Sequence, residues 1–354
     1  METTLRRFDF FVWVLIEKEG FMKGNETNYL VRTFCATYNQ ENYIRDALKG
    51  FVIQETTFPV VYTIVDDAST DNNAVMIRDF VSENFDLEDS LTAYDKDTDY
   101  GHVTYARHKT NINCYFAVVY LKENHYQQRK SRFPYLTDWL DTKYLAYCEG
   151  DDYWTDPKKL QKQVEFLETN LEYDLCCGAS QVYIQKGKCF STLKGSDLCE
   201  KYSTIVEDYN DINTATVLVR NDAMDKCIKE LSTFLPPYLF FDTAYWYWFA
   251  YYGKTKYMSE PMAVYRVLEN SASHSTDREK GFRRDLNFLR LKLEFLLRYP
   301  LSEGQEAVVD NLIQTIEGLC GYSRHLGELT VRKSGSYKVG SNIKRLLKWK
   351  NKRE

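Results

Sequence analysis

Residues 58–70 read FPVVYTIVDDAST. The β-favouring run Val60 to Val65 stops abruptly at two adjacent carboxylates, Asp66 and Asp67. A continuous apolar run of this length is the mark of a strand buried on both faces, because a strand with one wet face alternates. Working outward, the preceding YLVRTFCATYN (29–39) is a first strand, and NYIRDALKGFVIQ (42–54) is a helix with Ile44, Ala47, Leu48 and Phe51 on one face. The following DNNAVMIRDFVSENF (71–85) is a second helix, with Ser69, Thr70 or Asp71 available as its cap. Strand, helix, strand, helix predicts an α/β fold: a mostly parallel central sheet with helices on both faces.

Downstream, KYLAYCEGDD (143–152) repeats the pattern of an apolar strand ending in acids, here Glu149, Asp151 and Asp152. Asp156-Pro157 is a helix start ahead of KKLQKQVEFLETN, in which Leu160, Val164 and Leu167 share a face. NTATVLVRN (213–221) reads as a strand, and FDTAYWYWFAYYG (241–253) as a short helix capped by Asp242 and closed by Gly253. KYMSEPMAVYRV (256–267) reads as a strand, and the chain is helical from about residue 277. Residues 86–140 read as polar and irregular, with no element order. The division expected is an N-terminal extension (1–28), an α/β domain (29–270) and a helical C-terminal region with a basic tail (271–354).

Composition narrows the classes. With 44% hydrophobic and 27% charged residues the chain reads as an ordinary soluble globular protein, and 16 Gly and 7 Pro exclude collagen-like and disordered types. A net charge of -5 argues against a nucleic-acid partner. Nine cysteines, an odd count without a CxxC pair, argue against a disulfide framework or zinc site and for a reducing, cytoplasmic setting. The apolar core of FDFFVWVLIEKEG (8–20) is too short to span a membrane and is expected to pack on the domain. In the tail, Lys344, Arg345, Lys348, Lys350, Lys352 and Arg353 surround Ile343, Leu346 and Leu347. Peripheral contact with an anionic membrane and a plain solvated tail both fit that pattern.

In an open α/β sheet, ligands bind beyond the carboxyl ends of the strands. Two strands here end there in acids. Asp66 and Asp67 also fit a plain turn and helix cap, and the 149–152 acids a solvated turn. Both clusters together favour a site in which a divalent cation, Mn²⁺ or Mg²⁺, relieves the repulsion and carries a di- or triphosphate. No GxxxxGK[ST] or GxGxxG loop is present to hold phosphate otherwise. An aspartyl-phosphate site would want D-x-D-x-[TV], which Asp67-Ala68 breaks.

In this order, ATYNQENYIRDAL, VVYTIVDDASTD and YLAYCEGDDYWTDPKKLQKQVEFLE resemble family 2 glycosyltransferases of the GT-A (Rossmann-like) fold, and FDTAYWYWFAYYGKTKYMSEPMAVYRV resembles their acceptor-side segment. The likeness covers about residues 29–270. It implies an inverting, metal-dependent transfer of a sugar from a nucleotide-sugar donor, usually a UDP-sugar, to an acceptor hydroxyl on a glycan or glycoconjugate. Thr37, Tyr38 and Asn39 match the nucleotide pocket, Asp67 the acid facing the uracil N–H, and Asp151 the ribose or metal contact. Asp152 matches the metal ligand and Asp242 the catalytic base. Glu149 stands where the family more often has Asp, and Phe241 where it often has Glu, so the full ligand set stays open, and His274 is not assigned to it. Trp154, Trp246 and Arg266 are further candidates: Trp246 for the acceptor, Arg266 for phosphate or for bracing the strand. Trp248 and Phe249 are expected in the core. Helix capping alone also explains Asp242, and a non-catalytic nucleotide-sugar or glycan-binding protein on the same fold is the alternative function.

Overall fold

The computed structural model of the protein describes residues 28–128, 130–207, 211–236, 239, 242–269 and 277–325. Most of the N-terminal extension, His274 and the basic tail lie outside the described residues.

The described residues begin with β1 (Val31–Thr37), α1 (Ile44–Val52), β2 (Val60–Asp66) and α2 (Asn73–Asn84). Next come β3 (Phe85–Asp86), β4 (Tyr94–Asp97), β5 (Gly101–His108), β6 (Cys114–Leu121) and the short α3 (His125–Gln128). A 3-10 turn at Phe133–Trp139 leads into β7 (Tyr144–Tyr147), β8 (Tyr153–Trp154) and α4 (Lys159–Thr169). The chain continues with β9 (Leu175–Ile184), β10 (Cys189–Lys194), α5 (Tyr202–Glu207), β11 (Leu218–Arg220), α6 (Asn221–Ser232) and α7 (Asp242–Tyr251). It ends with β12 (Thr255–Val267), α8 (Arg278–Arg298) and α9 (Gln305–His325).

All strands join one sheet, ordered β3-β5-β6-β2-β1-β7-β11-β9-β12-β8, with β4 on β5 and β10 on β9. Its centre is parallel: β1 pairs with β2 from Val31↔Val60 to Thr37↔Asp66 and with β7 from Val31↔Tyr144 to Phe34↔Tyr147. β2 pairs parallel with β6, and β12 with β9. Antiparallel strands flank that centre through β5 on β6 and β11 on β7.

Helices cover both faces. Ile44, Leu48 and Phe51 of α1, Ile77 and Phe80 of α2, and Leu160, Val164 and Leu167 of α4 form one core with Val31, Tyr62, Ile64 and Phe116 of the sheet. On the other face, α6 and α7 share a core with α8 and α9, in which Leu291, Leu293, Phe295 and Leu296 are buried against Trp246 and Phe249. Trp248 and Phe249 are buried, as expected. No helix among the described residues is long and apolar enough to cross a membrane.

Two expectations are corrected. Residues 86–140 are not irregular: they hold β5 and β6, and β6 (CYFAVVYL) is buried throughout, next to β2 at the sheet's centre. Its polar flanking loops dilute the apolar signal of the segment. The strand expected at 213–221 is only β11, because Thr214–Thr216 forms a 3-10 turn begun by Asn213, whose side chain accepts from the Ala215 N–H.

Candidate active site

β1 fixes the site. At its C-terminal end, the Thr37 carbonyl accepts the Asp67 N–H (2.9 Å), and the Ala36 carbonyl accepts the Gly150 N–H (3.1 Å). The chain segments leaving β2 and β7 are thus tied to one strand, and both acid clusters leave the sheet at the same edge, where ligands of open α/β sheets bind.

The loops after β1 and β2 lock together. Asn39 (φ 53) and Ala68 (φ 60) both adopt the left-handed backbone that non-glycine residues usually avoid. Asn39 Oδ1 accepts the Thr70 N–H (2.7 Å), the Asn39 N–H donates to Ser69 Oγ (3.0 Å), and the Glu41 N–H donates to Asp71 Oδ2 (3.0 Å). Asp66 is buried and accepts from Ser69 Oγ (2.5 Å) and Asn73 Nδ2 (2.6 Å). Asp66 and Asn39 are therefore scaffold for the loops. Thr37 is buried, with Oγ1 2.8 Å from Gln40 Oε1 and 3.1 Å from Asn73 Oδ1. Tyr38 is half-buried.

Gly150 lets the second acid loop lie against the first. A Cβ there would fall 2.5 Å from Gln40 Oε1 and 2.7 Å from Thr37 Oγ1. Asp152 is buried, and its Oδ1 accepts the Arg266 N–H (2.8 Å). Arg266 Nη1 donates to the Asp151 carbonyl (2.9 Å), and Nη2 donates to Asp46 of α1. Its guanidinium also lies 4.6 Å from the centroid of the Tyr153 ring. Between the two uses the sequence left open, Arg266 takes the bracing one: it clamps the acid loop to α1.

Burial raises the pKa of Asp152, and the neighbouring charges of Asp151 and Glu149 raise it further. Burial likewise raises that of Asp151, against which the charge of Arg266 and a hydrogen bond from Gln40 work. Glu149 keeps solvent access yet is densely surrounded by protein. Its carboxyl is pushed up to about 7, first by desolvation and then by the charges of Asp151 and Asp242, while Arg132 opposes the rise. Asp242, at the start of α7 and solvent-exposed, thus shares one electrostatic neighbourhood with the β7 acids. Its Oδ2 accepts from Thr214 Oγ1 (2.7 Å), and its Oδ1 accepts the Thr243 N–H (2.7 Å). The Thr214 hydroxyl therefore sets the direction of the carboxylate.

Three candidates change role. Asp67 is buried; Oδ1 accepts the His125 N–H (2.7 Å) and Oδ2 the Tyr126 N–H (2.9 Å). It anchors α3 through both oxygens. Trp154 is a core residue, packed on Phe51 and donating from Nε1 to the Ala215 carbonyl (2.7 Å). Trp246 is wholly buried in the other core and cannot serve as an acceptor platform. The sequence offered both because sugars stack on aromatic rings; the structure gives both to the core instead. Gln40, Thr214 and Arg132 belong to the site and were not singled out by the sequence, because contact across distant segments leaves no local pattern.

Among the described residues, no group of three or more His, Cys, Asp or Glu side chains converges to hold a metal ion by itself. The donor chemistry still fits Mn²⁺ or Mg²⁺, which take hard oxygens and commonly bind one or two carboxylates together with substrate phosphates. Asp152 has one oxygen on the Arg266 N–H and, among the described residues, no hydrogen bond on the other, and Asp151 and Glu149 are the acids whose charges act on it.

Fold and site together define an α/β protein with a cluster of carboxylates at the carboxyl edge of a parallel-centred sheet. No known family's sequence profile matches the chain. Uncharacterized protein Rv1520 of Mycobacterium tuberculosis and Uncharacterized protein Mb1547 of Mycobacterium bovis are each 34% identical to it over 151 residues. The match takes in 43% of this chain and 35% of each relative, so it spans about a third of their length. Among solved structures, S. aureus TarS in complex with UDP aligns with a TM-score of 0.46 and 15% identity, covering 84% of this chain and 73% of that one. The mannosyltransferase PcManGT from Pyrobaculum calidifontis, in complex with GDP-Man and Mn²⁺, aligns with a TM-score of 0.46 and 12% identity, covering 90% of this chain and 85% of that one.

Proposed function

We propose that this protein is a glycosyltransferase of the GT-A type, moving a sugar from a nucleotide-sugar donor, a UDP-sugar by preference, to a hydroxyl of a glycan acceptor with inversion. One observation carries the reading. The 3-10 turn at Thr214–Thr216 holds Asp242 through the Thr214 hydroxyl (2.7 Å) and is itself tied to β8 by the hydrogen bond from Trp154 Nε1 to the Ala215 carbonyl (2.7 Å), which sets Asp242 near the acids that follow β7. A carboxylate from a distant segment is thus delivered, solvent-exposed and oriented, to the edge of an acid cluster suited to a phosphate-bound cation.

The chemistry follows from the placement. The acceptor hydroxyl is a poor nucleophile until its proton leaves, and a carboxylate within reach that removes it typically contributes 10²–10⁴-fold in rate. Asp242 is that base: its carboxylate is aimed by Thr214 and reaches solvent, from which the acceptor arrives. Attack from its side, opposite the departing diphosphate, inverts the anomeric carbon. Asp152, with Glu149 and Asp151, would hold the divalent ion, which as a Lewis acid stabilises charge on the leaving phosphate. The loops after β1 and β2 form the nucleotide floor, with the Tyr38 ring beside the base. The domain division at about residues 28 and 270 stands within the same proposal, with α8 and α9 packed on the catalytic unit.

The test is a screen of UDP-, GDP- and dTDP-sugars for nucleotide release, repeated with Asp242→Asn. Release by the wild type, lost by at least about 100-fold in the variant at unchanged donor affinity, supports the base. Near-normal turnover by the variant removes Asp242 from the role. Donor binding without any release by the wild type identifies a binding protein instead.

A further inference from the structure

Arg132 stands between the two acid clusters. Its Nη1 lies 3.7 Å from Asp67 Oδ2, beyond hydrogen-bond range, and the side chain is 21% exposed. Its charge also acts on Glu149. The guanidinium lies over the Phe34 ring, 5.7 Å from its centroid, and Phe34 stacks on Phe133 at 4.9 Å. Arginine carries five N–H donors in a planar fork. Among the described residues none accepts a hydrogen bond from Arg132, and the nearest carboxylate, Asp67, already takes the His125 and Tyr126 N–H groups. The contrast with Arg266 decides which arginine is available. Arg266 is buried, and its hydrogen bonds to Asp46 and the Asp151 carbonyl hold the acid loop in place. Turning it toward a ligand would release that loop, whereas turning Arg132 would break no hydrogen bond.

We propose that Arg132 is the arginine that binds the donor's pyrophosphate, leaving its loose pairing with Asp67 to place its fork on phosphate oxygens. Planar guanidinium matches phosphate in two-point contact, which an ammonium does not. Without a donor the same cation offsets the charge of Asp67 and Glu149, so one side chain serves both states. The sugar and nucleotide on that pyrophosphate rest on the glycosyl-transfer reading; the anion site itself does not.

The probe is inorganic pyrophosphate with Mn²⁺, titrated calorimetrically into the full chain and its Arg132→Gln and Arg132→Lys variants. Loss of charge-assisted hydrogen bonds weakens binding roughly 10- to 100-fold in Arg132→Gln, with partial retention in Arg132→Lys. On the unmodified protein, pyrophosphate should block phenylglyoxal labelling of Arg132, read by peptide mass spectrometry. Equal affinity in Arg132→Gln, undiminished labelling, or no pyrophosphate binding by the wild type overturns the assignment. A wild type that binds pyrophosphate through Arg132 but releases no nucleotide from any donor keeps this site and loses the transferase reading.

Discussion

Glu149 feels the charges of Asp151, Asp242 and Arg132 at once. Its carboxyl is pushed up to about 7 from an ordinary value of 4.5. The folded state then holds the proton more tightly than the unfolded chain between those values, so folding loses stability as pH rises through that window. Glu149→Gln removes this liability. Thermal melts should show the variant more stable than wild type at pH 8 and equal to it at pH 4.5; the opposite pattern would mean that Glu149 is not crowded by charge. At this scale the acids were readable, since Glu149, Asp151 and Asp152 end an apolar run, but their partners were not. The role of Asp67 turns on two backbone N–H groups of α3, and that of Arg266 on Asp46 of α1, both far away in sequence.

Among the elements, β1 and the two strands beside it were legible because buried parallel strands read as apolar runs. β6 and β9 escaped: the first was averaged into polar loops, and the second, LCCGASQVYI, follows the α4 pattern with a mixed composition. Their absence kept the β2-β1-β7 core of the sheet but left out the strand on its far side, β6, and the strand beside β12, β9. The approach of the β7 loop to β1 depends on one glycine. At Gly150 an added methyl group meets the Gln40 side chain, which can move, and the Thr37 Oγ1 and Cβ, at 2.7 and 2.8 Å, on a strand that cannot. Gly150→Ala should therefore cost about 1–3 kcal/mol, the usual range for overpacking, and weaken nucleotide binding as the acid loop lifts. Urea unfolding measures the first and calorimetry the second. An unchanged midpoint would show that the loop has slack.

At the scale of the whole molecule, the C-terminal helices are part of the core. Leu291, Leu293, Phe295 and Leu296 of α8 are all buried with α6 and α7. Removing such side chains from a core forfeits about 1.5–3 kcal/mol each, against a typical total stability of about 5–15 kcal/mol. A chain ending at residue 276 should lose cooperative unfolding by calorimetry; a truncated chain that melts like the full one would make α8 and α9 an appendage. The helical character of this region was readable from its periodicity. Its burial against α7 was not, because a helix's apolar face does not name its partner.

The acid cluster is where these scales meet, and nucleoside-diphosphate binding with and without a divalent cation tests it most directly. UDP and GDP are titrated calorimetrically into wild type and Asp152→Asn, each with Mn²⁺ and with chelator. The prediction is binding by wild type that requires Mn²⁺ and falls at least about tenfold in Asp152→Asn, as expected when a phosphate-bridging ion loses a carboxylate. Affinity that is the same with chelator, or unchanged in the variant, would contradict a cation shared between these carboxylates and a diphosphate.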